Sequence, residues 1–160
     1  MSESLVTTAD RPDLAALTAR WRWEAFFRDS GRPLDDILAD AQTTASAARL
    51  MPRTFVLLVE GEPVGTASLV AHDLAERPDL TPWLAGVFVV PHARGQGYAA
   101  RLVAAVERAA AAAGIPMLWL YTSKAERIYA RMGWETLETV QHNGRPCALM
   151  RRIAESVIPG

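Results

Sequence analysis

A short glycine-containing segment has the residue types needed to bind an anion. Residues 94–99 read Arg-Gly-Gln-Gly-Tyr-Ala and lie between an apolar run and an alanine-rich run. Glycines at 95 and 97 let the backbone turn with its N–H groups pointing outward, and a following helix adds the positive end of its macrodipole. Arg94 adds a fixed positive charge. The segment therefore predicts a phosphate site formed mainly by main chain.

The flanking residues favour the anion site over the alternative that two glycines merely shape a tight strand-to-helix turn. Residues 84–90 are continuously apolar and are followed by Pro91, which is typical of a central strand. Apolar residues then recur at helical spacing, and Gly114 and Pro116 end that helix. A strand, a glycine turn and a helix are therefore expected in succession.

Two better-known phosphate loops do not fit the segment. A P-loop requires Gly-Lys-Ser or Gly-Lys-Thr, and the single lysine, Lys124, lies outside the turn. A Rossmann fingerprint spaces its glycines as G-x-G-x-x-G and needs an acidic residue about 20 positions later. Here the third small residue comes too early, so dinucleotide binding is not expected.

The composition predicts one domain over residues 1–160, since a chain of this length buries a core without covalent staples. A single cysteine, Cys147, excludes an intramolecular disulfide and reads as a buried strand residue rather than a nucleophile. Three scattered histidines make a metal site unexpected. No secretory signal or spanning segment is recognisable, so we expect a cytoplasmic protein without a membrane partner.

Charge is distributed unevenly along the chain. Residues 1–82 carry 8 basic and 13 acidic side chains, whereas residues 83–160 carry 9 and 5. A basic half around the glycine turn suits a polyanionic ligand, and an acidic half suits a cationic co-substrate, although ordinary surface scatter would give the same counts. The basic residues are dispersed, so no nucleic-acid partner is expected.

Hydrophobic periodicity and turn residues predict an α/β fold of order β-α-α-β-β-β-α-β-α-β-β. Its sheet is mixed and mostly antiparallel, with helices on both faces and parallel pairing only between the fourth and fifth strands. An Asn-Gly pair at 143–144 predicts a type I′ hairpin between the last two strands. The expected strands cover residues 5–8, 54–60, 64–72, 84–90, 117–122, 134–140 and 146–152.

This element order and residues 87–99 resemble the GCN5-related N-acetyltransferase (GNAT) superfamily. The family's turn, [Gln/Arg]-x-x-Gly-x-[Gly/Ala], is matched by Arg94, Gly97 and Ala99. Its downstream segment, A-x-x-x-Y-x-x-x-G-F, is matched by residues 125–134, with Tyr129 as the tyrosine and Trp134 in place of phenylalanine. The resemblance covers residues 83–152 well and the first 82 residues only by element order.

The resemblance implies transfer of an acetyl group from acetyl-CoA to the amine of a small molecule or peptide, without a metal. Tyr129 would protonate the departing thiolate. The pantetheine arm would pair with the backbone of Val87, Phe88 and Val89. The pyrophosphate would be held by the backbone amides of Gly95, Gln96, Gly97, Tyr98, Ala99 and Ala100, beside Arg94. A homodimer is compatible with this reading.

Departures from the family pattern leave the general base open. Thr122 stands where many relatives have an asparagine, and Tyr121 stands where some have a catalytic glutamate. Candidates for the base are Glu24, Asp73 and Glu76, acting directly or through water.

The acceptor pocket is expected to be built from the first two helices. Aromatic residues that could line it are Trp21, Trp23, Phe26, Phe27 and Trp83. Two other functions remain open from the sequence: a catalytically idle acyl-CoA-binding sensor or assembly module, and a phosphate-binding module for another nucleotide. The acceptor and the length of the acyl group are not determined by these motifs.

Overall fold

The computed structural model describes residues 2–45 and 50–153, and the described residues form seven strands and four α-helices. The strands are β1 (Glu3–Thr7), β2 (Arg53–Val59), β3 (Glu62–Val70), β4 (Trp83–Val89), β5 (Met117–Thr122), β6 (Glu135–His142) and β7 (Arg145–Ile153). The helices are α1 (Ala15–Arg22), α2 (Leu34–Ala45), α3 (Tyr98–Ala112) and α4 (Glu126–Arg131). A π-helical turn over Trp23–Phe27 extends α1. The predicted element order is confirmed.

One sheet contains all seven of these strands, in the order β1-β2-β3-β4-β5-β7-β6. Every neighbouring pair is antiparallel except β4 and β5, which are parallel and share the single registered pair Trp83 and Trp119. Beyond that pair the two strands separate, so one edge of β4 has no partner among the described strands. The predicted mixed sheet is confirmed, and its parallel step opens a cleft.

A bulge in β4 accompanies this separation. Thr66 pairs with Phe88 and Ser68 pairs with Ala85, so two residues of β4 lie opposite one residue of β3. One of the two, Gly86, has φ +64°, a left-handed conformation that glycine adopts without strain. An extra residue bends its strand, and this bend turns the second half of β4 away from β5.

Alternate residues of β2 face two different helical layers, because strand side chains alternate between faces. Val56 and Leu58 pack with Leu14 before α1. Leu57 belongs to the larger core, together with the buried stripe of α3 that includes Leu102 and Val106. The prediction of helices on both faces of the sheet is therefore correct.

The connection between β3 and β4 forms a third cluster over the middle of the sheet. Leu74 packs against fully buried Trp83 and Leu149, with Tyr121 and Val140 at its margin. This packing brings the acidic β3–β4 connection next to the β6–β7 hairpin.

That hairpin turns through Asn143 and Gly144, whose φ values of +52° and +75° confirm the predicted type I′ turn. Within the described part of the chain, no helix is both long and apolar enough to cross a membrane.

Candidate active site

The glycine turn presents backbone donors at the start of α3. Gly97 immediately precedes the helix with φ +82°, and Gly95 has φ +81°. Open space surrounds the Cβ position of both, so the backbone conformation rather than crowding requires glycine. The amide of Arg101 donates to the Gly97 carbonyl at 3.3 Å, and no side chain among residues 2–45 and 50–153 caps the helix. The N–H groups of residues 98–100 are thus left for an anion.

An open cavity of about 490 Å³ adjoins this turn. Five of the ten residues predicted to hold the cofactor line one side of the cavity. Residues of the π-helical turn line the other side. The cavity follows the edge of β4 that lacks a partner strand, where an extended, amide-rich ligand could satisfy the strand's donors and acceptors. Its lining residues are Ala25, Phe26, Val87, Phe88, Val89, Arg94 and Ala99.

The other predicted cofactor residues lie beside the cavity. Gly95, Gln96 and Gly97 form the exposed turn, and Ala100 is exposed in the first turn of α3. The side chain of Tyr98 is buried in the core, so only its backbone can contribute to the anion site.

Arg94 is less free than the sequence suggested. Its Nε donates a hydrogen bond to the Val89 carbonyl at 2.9 Å, and its guanidinium carbon lies 5.7 Å from the centre of the Phe88 ring. The side chain therefore folds back along the end of β4. The guanidinium lies at the cavity wall, and its hydrogen bond to the Val89 carbonyl fixes the end of β4.

Tyr129 lies on α4, which follows β5 after a three-residue connection. Its ring packs against the main core and makes an edge contact with Trp134 at 6.3 Å. Burial raises the pKa of the Tyr129 phenol to about 12, so the phenol is protonated at neutral pH. It does not line the cavity along β4.

Thr122 anchors the connection that leads from β5 to the start of α4. Its hydroxyl oxygen accepts hydrogen bonds from the amides of Lys124 at 3.4 Å and Ala125 at 3.0 Å. A side-chain oxygen that satisfies these amides orders the connection from β5 into α4.

The far end of α4 is held by a polar network. Arg152 donates to the carbonyl of Met132 and forms an ion pair with Glu107 at 3.2 Å. Trp134 donates its indole N–H to the same glutamate at 3.3 Å. The turn at Gly133, with φ +101°, is thereby tied to both α3 and β7.

The three candidate bases lie in different environments. Asp73 is largely buried, and burial raises the pKa of its carboxyl to about 6, although the nearby His142 opposes that shift. Glu76 is exposed and accepts a hydrogen bond from Nδ1 of His142 at 2.8 Å, which lowers the pKa of its carboxyl. Glu24 is exposed on the π-helical turn.

The sequence did not identify Tyr121 and His142 as members of one site. Their rings meet at 5.0 Å, and Tyr121 also contacts Trp83 at 6.1 Å. Burial and the adjacent Asp73 raise the pKa of the Tyr121 phenol. The predicted strand order could have indicated this site. Because β4 and β5 are parallel neighbours, the β3–β4 connection and the β6–β7 hairpin lie over adjacent strands.

The aromatic residues predicted for the acceptor pocket do not form one surface. Phe26 is 51% exposed and lines the cavity, and Trp21 contacts the Phe88 ring at 5.6 Å. Trp23 is held by its hydrogen bond to the Arg32 carbonyl at 2.9 Å, and Phe27 lies beneath the same arginine at 6.0 Å.

Including Trp83 among the pocket residues was wrong. It is fully buried, and its indole N–H donates to the Leu80 carbonyl at 2.8 Å. Its side chain packs within the third cluster and does not face a ligand.

Known acetyltransferases are similar to this chain in sequence. Residues 16–134 match the sequence model of the acetyltransferase (GNAT) family. The chain is 30% identical over 124 residues to an aminoglycoside N(6′)-acetyltransferase type 1 of Salmonella typhimurium, which covers 73% of this chain and 84% of that relative.

Solved structures share the fold. An acetyltransferase of Salmonella typhimurium with its cofactor acetyl-CoA superposes with a TM-score of 0.71 at 17% identity, over 100% of this chain and 98% of the other. An aminoglycoside 6′-N-acetyltransferase complexed with coenzyme A gives 0.74 at 13% identity, over 97% and 98%.

Proposed function

The chain belongs to the acetyltransferase (GNAT) family. We propose that it transfers the acetyl group of acetyl-CoA to a primary amine of a small molecule, with Asp73 as base and Tyr129 as acid. One observation carries the proposal: the uncapped N-terminus of α3 and the unpaired edge of β4 border the same cavity. These are the two kinds of backbone surface that a phosphate and an amide-rich arm require.

The residues at this cavity fit the donor. The amides of residues 95–100 and the charge of Arg94 would hold the pyrophosphate, and Val87, Phe88 and Val89 would pair with the pantetheine arm. Acetyl-CoA supplies the acetyl group as a thioester. The Val89 carbonyl already accepts from Arg94, so it has one lone pair left for the arm.

Asp73 is the strongest of the three candidate bases. A carboxyl with a pKa of about 6 is mostly ionised at pH 7, yet it holds a proton more tightly than an exposed aspartate does. The carboxylate of Glu76 is engaged by His142, and Glu24 has no such shielding. Asp73 would accept the proton that the acceptor ammonium loses, directly or through water.

Tyr129 would donate a proton to the departing sulfur. Its raised pKa keeps the phenol protonated but makes it a weaker acid than an exposed tyrosine. The same burial also destabilises a thiolate formed beside Tyr129 and so raises the pKa of the thiol. The pKa values of the phenol and the thiol are therefore closer to each other than their values in water indicate.

The names of the curated relatives give the first acceptor to assay, because those proteins act on the 6′ amine of aminoglycosides. The purified chain is incubated with acetyl-CoA and a panel of primary amines that includes kanamycin, amino acids, their amides and simple alkylamines. Free thiol and acetylated product are measured together. We expect stoichiometric thiol and product with at least one amine. Tight acetyl-CoA binding without thiol release on any amine would favour the idle acyl-CoA-binding module instead.

A further inference from the structure

Arg22, the last residue of α1, is pressed against the bulge of β4. A Cβ added at Gly86 would lie 2.9 Å from Cδ and 3.5 Å from Cγ of Arg22. The arginine stem therefore occupies the space that the glycine leaves open. Its Nη1 atom is fully buried and has no hydrogen-bond partner among the described residues.

No carboxylate in the described part of the chain neutralises this guanidinium. Arg22 takes part in none of the ion pairs found there. Other arginines are engaged: exposed Arg94 donates to the Val89 carbonyl, and half-buried Arg152 pairs with Glu107. A buried cation without a partner is unfavourable, and arginine does not relieve it by losing a proton. The side chain as a whole is half-buried, so an anion from outside the chain could reach the guanidinium and neutralise it.

The position of Arg22 identifies which ligand could supply that anion. Ala25 and Phe26, which line the cavity, follow Arg22 by three and four residues, and Gly86 precedes the lining residue Val87. Arg22 is not itself a lining residue, but its neighbours on both elements place it beside the Val87 end of the cavity, which is the end away from the glycine turn. With the pyrophosphate at that turn, the donor's phosphate charges are remote, and the acceptor is the ligand that reaches Arg22.

We propose that Arg22 binds a carboxylate of the acceptor, so that the acceptors of this enzyme are amines that also carry a carboxylate, such as amino acids. This inference rests on the proposed function. The planar guanidinium offers two parallel donors that match a carboxylate, and such a pair both neutralises the buried cation and orients the amine. A polycationic aminoglycoside has no group that could do this.

The experiment compares matched acceptors. Leucine, phenylalanine and lysine are each assayed beside the corresponding carboxamide and decarboxylated amine, with kanamycin as the aminoglycoside. We expect kcat/KM for at least one amino acid to exceed that of its amide roughly 10- to 100-fold, the range for a charged hydrogen bond. Arg22→Gln should abolish that preference while it leaves the amide rate within about threefold, and Arg22→Lys should fall between.

Three results would overturn the inference. The wild type could use acid and amide equally, it could prefer kanamycin to every amino acid, or Arg22→Gln could slow acid, amide and amine by the same factor. The last result would mean that Arg22 serves the transfer step rather than acceptor recognition.

Controls separate this inference from a folding defect. Glutamine keeps the arginine stem through Cδ, so the packing against Gly86 is preserved. The melting temperature of Arg22→Gln without ligand should equal or exceed that of the wild type, because an unpaired buried charge is removed. Arg20→Gln, on the exposed side of the same helix, should change neither acceptor preference nor acetyl-CoA affinity.

A binding measurement distinguishes failure of this inference from failure of the proposed function. If no amine releases thiol, the proposed function fails, but calorimetry on the coenzyme A complex still tests Arg22. N-acetylphenylalanine or N-acetylleucine should then bind the wild type and not Arg22→Gln, whereas the matching N-acetyl amides should bind both proteins alike. Equal binding of acids and amides to the wild type would overturn the carboxylate site.

Discussion

Replacing Asp73 with asparagine should remove activity and add stability at the same time. Asp73 lies in the β3–β4 connection, and burial raises the pKa of its carboxyl from 3.8 to about 6. A pKa difference of this size corresponds to an upper limit of about 3 kcal/mol, at about 1.36 kcal/mol for each pH unit. The wild type bears this cost only when Asp73 is ionised.

The sign of the stability effect follows from the raised pKa. The contribution of Asp73 to stability is fully present below its unfolded pKa of 3.8, and it is lost as the pH rises through about 6. Asparagine has no charge to desolvate. Asp73→Asn should therefore raise the melting temperature at pH 7 by up to roughly 6–12 °C for a chain of this size, and by almost nothing at pH 4.

Kinetics test the catalytic half of the prediction. If Asp73 is the base, kcat/KM of the wild type should fall on the acid side with an apparent pKa near 6. Asp73→Asn should lower kcat/KM roughly 10²- to 10⁴-fold and eliminate that limb. Protonated His142 lowers the pKa of Asp73, so His142→Asn should move the limb to higher pH.

The matched control is Asp79→Asn, in the same connection, where the carboxylate is exposed and paired with Arg77 at 3.1 Å. It should leave the pH profile and the rate unchanged. An Asp73→Asn enzyme that retains wild-type kcat/KM and the limb near pH 6 would refute the assignment of Asp73 as base. A stabilisation that is equal at pH 4 and pH 7 would refute the desolvation argument.

Substitutions at three further positions test the rest of the site. Tyr129→Phe should lower kcat with little change in acetyl-CoA affinity. Because the pKa of the phenol is about 12, the wild-type kcat should show no fall attributable to Tyr129 below about pH 10. An unchanged single-turnover rate in the variant would remove Tyr129 from the acid role. Gly97→Asp should abolish acetyl-CoA binding measured by calorimetry through strain and charge repulsion, whereas Gly97→Ala, which adds strain alone, should weaken it less; equal losses would argue against an anion at the turn. Gly133→Ala should lower the melting temperature by several degrees, because its Cβ would overlap the Arg152 guanidinium and displace it from the Met132 carbonyl; an unchanged melting curve would contradict the network.

The sequence predicted the fold well because its signals are local. β5 was placed over the residues that it occupies, and the Asn143–Gly144 turn has the predicted positive φ values. Strand ends elsewhere moved by one or two residues, since pairing with a neighbour rather than side-chain pattern determines where a ladder stops. The bulge at Gly86 was not predicted, because a bulge depends on the register of two strands.

The donor side and the acceptor side of the site differed in how well the sequence predicted them. The anion turn lies within one short stretch of chain, so glycine spacing and the following helix were enough to predict it. The acceptor side depends on contacts between distant residues: Asp73 beside His142, and Arg22 against Gly86. Helical spacing alone could not separate Phe26, which lines the cavity, from Trp23, which holds the next loop.

The positions of Asp73 and Arg22 constrain the path of the proton. Asp73 neighbours Tyr121, which contacts Trp83 at the start of β4, whereas Arg22 packs at Gly86, three residues later. Three residues of strand span about 10 Å. The amine and carboxylate of an α-amino acid are much closer together than that. An α-amine beside Arg22 would therefore lose its proton to Asp73 through water, while a side-chain amine several bonds from the carboxylate could reach Asp73 directly.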